Sequence, residues 1–277
     1  DSKGQLILVT THTRNNFIIY DKSGRVNKTW GHDYPGIHGL TLHGEGSDEY
    51  IFITDTDRHQ VFKLSMKGKE LLRISYPKEA GIYQTEEQFR PTEVAIGPNG
   101  DIYVADGHGL NYVIQYDARG RYKCHFGGMH DDYGSLNGCH GITVDYRHIK
   151  PTLLVTSQAT SECKRFSMDG QFIESIEIPG CWICRPVIKG EYLHFAVIGT
   201  KSWWEYDGIV VILDKNNNIV AAPGAKETSF NNGALSNITY DGRTFMNPHD
   251  VCIDEDENLY VPQWYSGNTY PVKLTRI

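Results

Sequence analysis

Apolar and polar positions alternate along this chain in short runs, each closed by a polar turn. LILV from Leu6, FIIY from Phe17, YIFITD from Tyr50, IYVAD from Ile102 and YVIQY from Tyr112 are rich in β-branched and aromatic residues, the composition of strands. The apolar 3.6-residue periodicity that a ten-residue crossover helix needs is missing between them, which argues against a parallel α/β sheet.

The runs repeat. LILVTTHTRNNFIIYDKSGRVNKTWG from Leu6, YIFITDTDRHQVFKLSMKGKELLRI from Tyr50, DIYVADGHGLNYVIQYDARGRYKCHFG from Asp101 and TLLVTSQATSECKRFSMDGQFIESIEI from Thr152 are variations on one unit. Each holds a β-rich run, a polar loop, a second run, a DxxG or SMxG turn and a third run. The turn glycines, Gly24, Gly68, Gly120 and Gly170, lie 44, 52 and 50 residues apart, the size of a four-stranded propeller blade. GLTLHG from Gly39, TEVAIGP from Thr92 and GITVDY from Gly141 supply innermost strands. HFAVIG with GIVVILDKNNNIVAAP makes a fifth unit, and DVCIDEDENLYVPQWY with TYPVKLTRI a sixth. The fold class read from this is all-β: a six-bladed β-propeller of four-stranded antiparallel blades, one domain over residues 1–277, closed by combining the chain ends. The stretches from Pro77 to Gln88 and from Asn216 onward read as polar connections, the second opening on an Asn-rich turn where four units place glycine.

Composition narrows the function classes. With 27 basic against 34 acidic side chains, the net charge of -7 lacks the basic surface for a phosphate backbone, so no nucleic-acid partner is expected. The longest apolar runs are a few residues, too short for a transmembrane helix. Six cysteines, including the pair Cys181 and Cys184 in CWIC, are expected to be buried thiols or to form one disulfide, since no second pair stands at zinc-site spacing. A secreted or periplasmic location is the expectation.

The chemistry concentrates on histidines. IHGL, CHGI and NPHD place His38, His140 and His249 at the starts of short β-runs, 102 and 109 residues apart. In a six-bladed ring these spacings fall on alternate blades, and three neutral imidazoles meeting there form a zinc-type site with an open position. The competing reading makes each histidine a strand cap.

On ITDTDRHQVFKL from Ile53, FRPTEVAIGPNGDIYVADG from Phe89, CHGI and NPHDVCIDEDENLYV from Asn247, the chain resembles the NHL-type six-bladed propellers, and among them the lyase domain of peptide-amidating enzymes. The resemblance implies zinc, or another divalent transition metal, on His38, His140 and His249. It also implies a structural calcium held by the Asp250 carboxylate and a backbone carbonyl at Leu40. The catalytic shell departs from the family: His108 stands where the family has a tyrosine, His12 and Gln158 where it has arginines, and Asn247 where it has a methionine. Losing two permanent cations points to a neutral, hydroxyl-bearing small substrate, such as a sugar or polyol.

The function expected is therefore a metal-dependent lyase or an epimerase or isomerase, with His108 as base and His12 as the second acid/base group. Trp182, Arg185 and His194 are candidate substrate-binding residues; the bland alternatives are a rim residue for Arg185 and a core histidine for His194. Trp203, Trp204, Tyr206, Trp264 and Tyr265 are candidates to line a groove, and His59 reads as framework. Hydrolysis by metal-bound water would need a carboxylate base, for which Glu93 and Asp106 are the nearest candidates. The reading from a different class is a noncatalytic propeller that binds a protein or glycan partner through its rim.

Overall fold

The computed structural model describes all residues except 131, 201, 203–206, 232–233, 240–243, 266 and 268–269. Trp203, Trp204 and Tyr206 thus lie outside the described residues. The fold class is the six-bladed β-propeller, and the chain divides into two compact units, residues 1–142 and 143–277.

The first unit opens with a three-stranded sheet of β1 (Leu6–Val9), β2 (Phe17–Tyr20) and β3 (Val26–Trp30). Two four-stranded sheets follow: β4 (Ile37–Glu45), β5 (Asp48–Asp55), β6 (Gln60–Ser65) and β7 (Glu70–Ile74), then β8 (Glu93–Ile96), β9 (Ile102–Ala105), β10 (Tyr112–Tyr116) and β11 (Tyr122–Gly127). Each is a meander with its strands in chain order. The short runs GLTLHG and TEVAIGP form β4 and β8, as their spacing requires.

Strand β12 (Cys139–Asp145) starts the next sheet, with β13 (Thr152–Ser157), β14 (Glu162–Ser167) and β15 (Phe172–Glu177). The second unit continues with β16 (Trp182–Lys189), β17 (Tyr192–Gly199), β18 (Ile209–Leu213) and β19 (Ile219–Ala221). It then forms a hairpin of β20 (Glu227–Asn231) and β21 (Ala234–Thr239), and ends in β22 (Cys252–Ile253), β23 (Leu259–Val261) and β24 (Val272–Leu274). The hairpin corrects the expectation of a polar connection after Asn216. ETSFN pairs with ALSNIT in antiparallel register, since polar strands still satisfy their backbone groups by pairing. Helical structure among the described residues is three single 3-10 turns, at Lys78–Ala80, Glu86–Gln88 and Gln158–Thr160.

The repeated turn has a direct physical cause. Asp21 Oδ1 accepts the backbone N–H groups of Ser23 and Arg25 at 2.8 and 3.1 Å, and Asp117 Oδ1 those of Arg119 and Arg121 at 2.9 and 3.0 Å. The Ser65 and Ser167 hydroxyls accept in the same place. The fourth residue then takes a left-handed conformation, with φ of 81, 83, 76 and 84° at the four glycines, and the pairing shifts by one residue just beyond. This is a turn closed by a glycine bulge. In the fifth sheet Asn217 fills that position at φ 63° behind Asp214, the substitution that the Asn-rich turn announces.

Apolar faces fill the cores. Phe17, Ile53, Phe62 and Leu64 pack with Trp30 stacked on Phe17 at 3.7 Å, and Phe89, Val94, Val104 and Tyr116 form a second cluster in the same unit. In the second unit Leu154, Ile183, Phe195 and Val211 belong to one core cluster. Cys181 and Cys184 are buried free thiols, as are the other cysteines free; burial pushes the Cys181 thiol up to about 12.

Candidate metal centre and active site

His38 is the second residue of β4, at a bulge: Ile37 pairs with Asp55 and Leu40 with Ile53. The bulge turns His38 out of the ladder. Its Nδ1 lies 2.9 Å from the Thr92 carbonyl oxygen. A carbonyl only accepts, so Nδ1 carries the proton and Nε2 keeps its lone pair. The same carbonyl accepts the Thr54 hydroxyl at 3.0 Å, and Thr54 Oγ1 accepts the Gly39 N–H at 2.8 Å. A side chain at Gly39 would put its Cβ 2.4 Å from that carbonyl, so the residue after His38 must be glycine.

His140 is the second residue of β12 and is buried. The preceding turn is pinned by Asn111, whose Oδ1 accepts the Gly138 and Cys139 N–H groups at 2.7 and 3.0 Å. The Cys139 carbonyl accepts from Thr92 Oγ1 at 3.0 Å. Thr92 therefore touches the mountings of both histidines: its carbonyl holds His38, and its hydroxyl holds the residue before His140.

His108 lies in the loop between β9 and β10. Its N–H donates to the Arg90 carbonyl, and the loop winds around the buried Asp106 carboxylate. Oδ1 accepts from Arg90 N–H at 2.6 Å, and Oδ2 from Leu110 N–H at 2.7 Å and the Tyr83 hydroxyl at 2.8 Å. Burial raises the Asp106 pKa to about 7 despite these donors. Gly107 is required where it stands, because a Cβ there would fall 2.2 Å from the Cys139 carbonyl oxygen.

These three mountings bring the imidazoles together. Ring centroids are 4.8 Å apart for His38 and His108, 4.8 Å for His38 and His140, and 5.7 Å for His108 and His140. One potential ligand atom from each lies within 4.8 Å of the others. His108 keeps an open edge to solvent, yet desolvation by its packing, followed by the Arg90 guanidinium, holds its pKa below the ordinary histidine value. Three clustered imidazoles, one of them with its tautomer fixed by a backbone carbonyl, suit a divalent transition metal.

The other expected residues of the first unit are not among the three clustered imidazoles, although Glu93 Oε1 lies against Gly39, next to His38. His12 is exposed on the β1–β2 loop, its Nδ1 accepting the Arg14 N–H at 3.2 Å. Leu40 turns its side chain toward the Phe17 core. His59 is framework: its Nδ1 meets the Phe89 carbonyl at 2.8 Å. Glu93 is buried on β8 and accepts from Thr41 Oγ1 and Val94 N–H.

In the second unit, His249 N–H donates to the Pro262 carbonyl, and a ring nitrogen of His249 lies within 4.8 Å of Cys184 Sγ. Asn247 is fully buried at φ 54°, with Nδ2 donating to the Ile198 carbonyl at 2.8 Å. Its Oδ1 has no hydrogen-bond partner among the described residues. Gln158 Nε2 donates to the Ile183 carbonyl at 3.3 Å and faces Cys184 Sγ at 3.7 Å. Arg185 pairs with Asp250. Trp182 packs on Cys184, Ala196 and Ile198. His194 is buried on β17 opposite Val187 and Ile212, and burial lowers its pKa to about 4.

Arg90 beside His108, Tyr83 under its loop and Cys184 beside His249 are contributors that the sequence pattern does not mark, while Asp106 stands in it only as a candidate base for hydrolysis. Arg90 and Tyr83 sit in or next to the stretch dismissed as a polar connection. Cys184 is in a pair judged on spacing alone.

No protein-family model matches the chain. Over 250 residues, 86% of this chain, it is 24% identical to mouse peptidyl-glycine alpha-amidating monooxygenase. Over 83 residues, 30% of this chain, it is 32% identical to a probable peptidyl-alpha-hydroxyglycine alpha-amidating lyase of Caenorhabditis elegans. The chain is similar to peptide-amidating lyases. It spans 23% of the length of each of these relatives. Among solved structures, a Bacteroides caccae protein of unknown function superposes with a TM-score of 0.63 at 15% identity, covering 98% of this chain and 90% of that one. Virginiamycin B lyase from Staphylococcus aureus gives 0.59 at 15% identity, over 95% and 74%. A chain of a nidogen/laminin complex gives 0.60 at 15% identity, over 98% and 89%. These likenesses show the propeller fold.

Proposed function

We propose that the protein is a metal-dependent lyase acting on a small hydroxyl-bearing molecule. The observation that carries the reading is the grouping of His38, His108 and His140, with Nδ1 of His38 committed to Thr92. The likeness to amidating lyases and to virginiamycin B lyase supports the reaction class. His38, His140 and, by the resemblance, His249 would hold zinc or another divalent transition metal. Such an ion would act as a Lewis acid toward a substrate oxygen.

The chain's own residues do the proton work. His108 is kept neutral by its packing and by Arg90, so it can accept a proton near pH 7. The reading assigns proton abstraction to His108 rather than His12, because His108 is the one packed against His38 and His140. In an elimination His108 takes a proton from a carbon made acidic by a neighbouring carbonyl or carboxyl group, and the C–H electron pair becomes the new double bond. The C–O bond on the neighbouring carbon breaks, and the leaving oxygen is protonated by the imidazolium or by water. If the proton returns instead to the opposite face of the carbon, the outcome is epimerisation. Arg90 adds a guanidinium near His108, shared with Asp57 at 3.7 Å, and would help hold a hydroxy acid such as a sugar acid as well as an uncharged hydroxy carbonyl compound.

The test is a screen of sugar acids and hydroxy carbonyl compounds, followed by absorbance of the new unsaturation, and of α-hydroxyglycine-extended peptides, in which loss of the hydroxyl proton would form C=O as the C–N bond breaks, followed by chromatography of the amide and carbonyl products. The reading expects turnover that His108→Ala lowers at least 100-fold. The nidogen/laminin likeness favours a second reading, a noncatalytic propeller with a protein partner. Turnover of none of these substrates by metal-loaded protein, together with stoichiometric binding of a protein or glycan, would make that reading primary.

A further inference from the structure

Asp250 follows His249 and is the carboxylate that the family resemblance assigns to a structural calcium. Its surroundings are those of an ion pair. Arg185 Nη2 donates to Oδ2 at 2.8 Å and Arg185 Nε to Oδ1 at 3.2 Å, while Oδ1 also accepts the Val251 N–H at 2.8 Å. The two side chains are 19% and 27% exposed, so the fork is shielded from most of the solvent that would weaken it.

Both oxygens of the carboxylate are thus engaged by one guanidinium. A calcium ion needs six to eight oxygens at about 2.3–2.6 Å. Bound to Asp250, it would stand a few ångströms from a permanent positive charge, where like charges repel strongly in a partly desolvated site. The residues present do not fit the ion. They fit a protein that carries its cation covalently.

We propose that the Arg185 guanidinium occupies the role of the calcium ion, so that this chain holds the segment around His249 without calcium. Arg185 follows Cys184 on β16, and Asp250 follows His249. The fork therefore ties the strand that carries the thiol to the segment that carries the imidazole. Arg185 is on this account a positioning residue for His249, and the inference stands apart from the lyase reading, since its readouts are calcium content and stability.

The experiment uses the intact protein, equilibrated with about 1 mM calcium, which exceeds a hundredfold the Kd of any site tighter than about 10 µM. Calcium per chain is counted by emission spectrometry after desalting, and the Tm is measured with and without the added calcium. The result expected is no stoichiometric calcium and a Tm unmoved within about 1 °C. About one calcium per chain, with a Tm that rises on adding calcium but not magnesium, would overturn the proposal. The Arg185→Gln variant is expected to melt several degrees lower and to regain part of the loss with calcium. An Arg185→Gln protein that melts like the parent and ignores calcium would also overturn it. Should that variant fail to fold, the measurement on the parent protein still decides.

Discussion

His38 donates its Nδ1 hydrogen to the Thr92 carbonyl oxygen at 2.9 Å, and this bond sets the chemistry of the histidine group. It fixes the tautomer, so the lone pair of Nε2 is the one available to a metal. The Thr54 hydroxyl shares the same carbonyl and receives the Gly39 N–H, so the mounting of His38 depends on two threonines with no chemistry of their own.

Thr54→Val keeps the shape but removes the acceptor for Gly39 N–H and the second donor to Thr92. Thr54 is fully buried, so no water replaces the bond. The expected loss is about 1–3 kcal/mol, read from urea denaturation, with metal affinity weakened about 10-fold or more. A variant equal to the parent in both would contradict this account of the mounting.

Gly107 and Gly44 form a matched pair. Alanine at 107 would force a Cβ against the Cys139 carbonyl at 2.2 Å, whereas at Gly44 the nearest atom is 3.9 Å away. Gly107→Ala is expected to cost about 1–3 kcal/mol or more by overpacking, and to displace His108 from His140. Gly44→Ala is expected to change stability by less than about 1 kcal/mol. Equal effects of the two substitutions in thermal melts would remove the steric argument.

The buried network under β14 makes a different prediction. Asp145 accepts from Arg165 at 2.7 Å and from Arg147 at 2.8 Å, and Arg165 also reaches Glu174 at 2.7 Å. Burial works against the Asp145 charge, but the hydrogen bonds from Arg147 and Arg165 outweigh it and hold the carboxyl well below its usual range. Arg165→Met leaves that charge with one partner and is expected to cost about 3–5 kcal/mol, measured by chemical denaturation at pH 7.

His194 governs a separate pH window. Its folded pKa of about 4 lies below the ordinary histidine value of about 6.5, so the folded state binds fewer protons than the unfolded one between these values. The contribution of His194 to stability is full above pH 6.5 and falls as the pH drops toward 4, by about 1.4 kcal/mol per unit at most. Asp145, with its depressed pKa, contributes only at lower pH, as its unfolded value near 3.8 is approached. Asp106, with its pKa raised to about 7, acts in the opposite direction over this range but is common to both proteins, so the stability at pH 7 minus that at pH 5, from urea denaturation, should be more positive in the parent than in His194→Gln; equal signed differences would rule out His194 as a contributor.

The fold was legible because it is written in a local code. The DxxG and SMxG turns specify a bulged hairpin with contacts only two to four residues apart, and their spacing counts the blades. The same locality located His38 and His140 at strand starts. What the sequence could not carry was through-space. His108 joins the histidine group because Asp106 and Tyr83 shape its loop from 23 residues apart. Arg185 and Asp250 meet across 65 residues of chain, so each looked free to bind something else. The stretch after Asn216 misled because polar residues predict exposure, and an exposed segment still pairs its backbone as β20 and β21.

The central claim of the proposal is that His38 and His140 belong to a metal site, with His108 beside it as the base. Metal content of the protein purified without added metal or chelator, compared with that of His140→Ala, tests it most directly. About one transition-metal ion per chain in the parent, lost in the variant while the fold is retained by circular dichroism, is the result the account predicts. No transition metal in the parent, even after reconstitution with zinc, would contradict it.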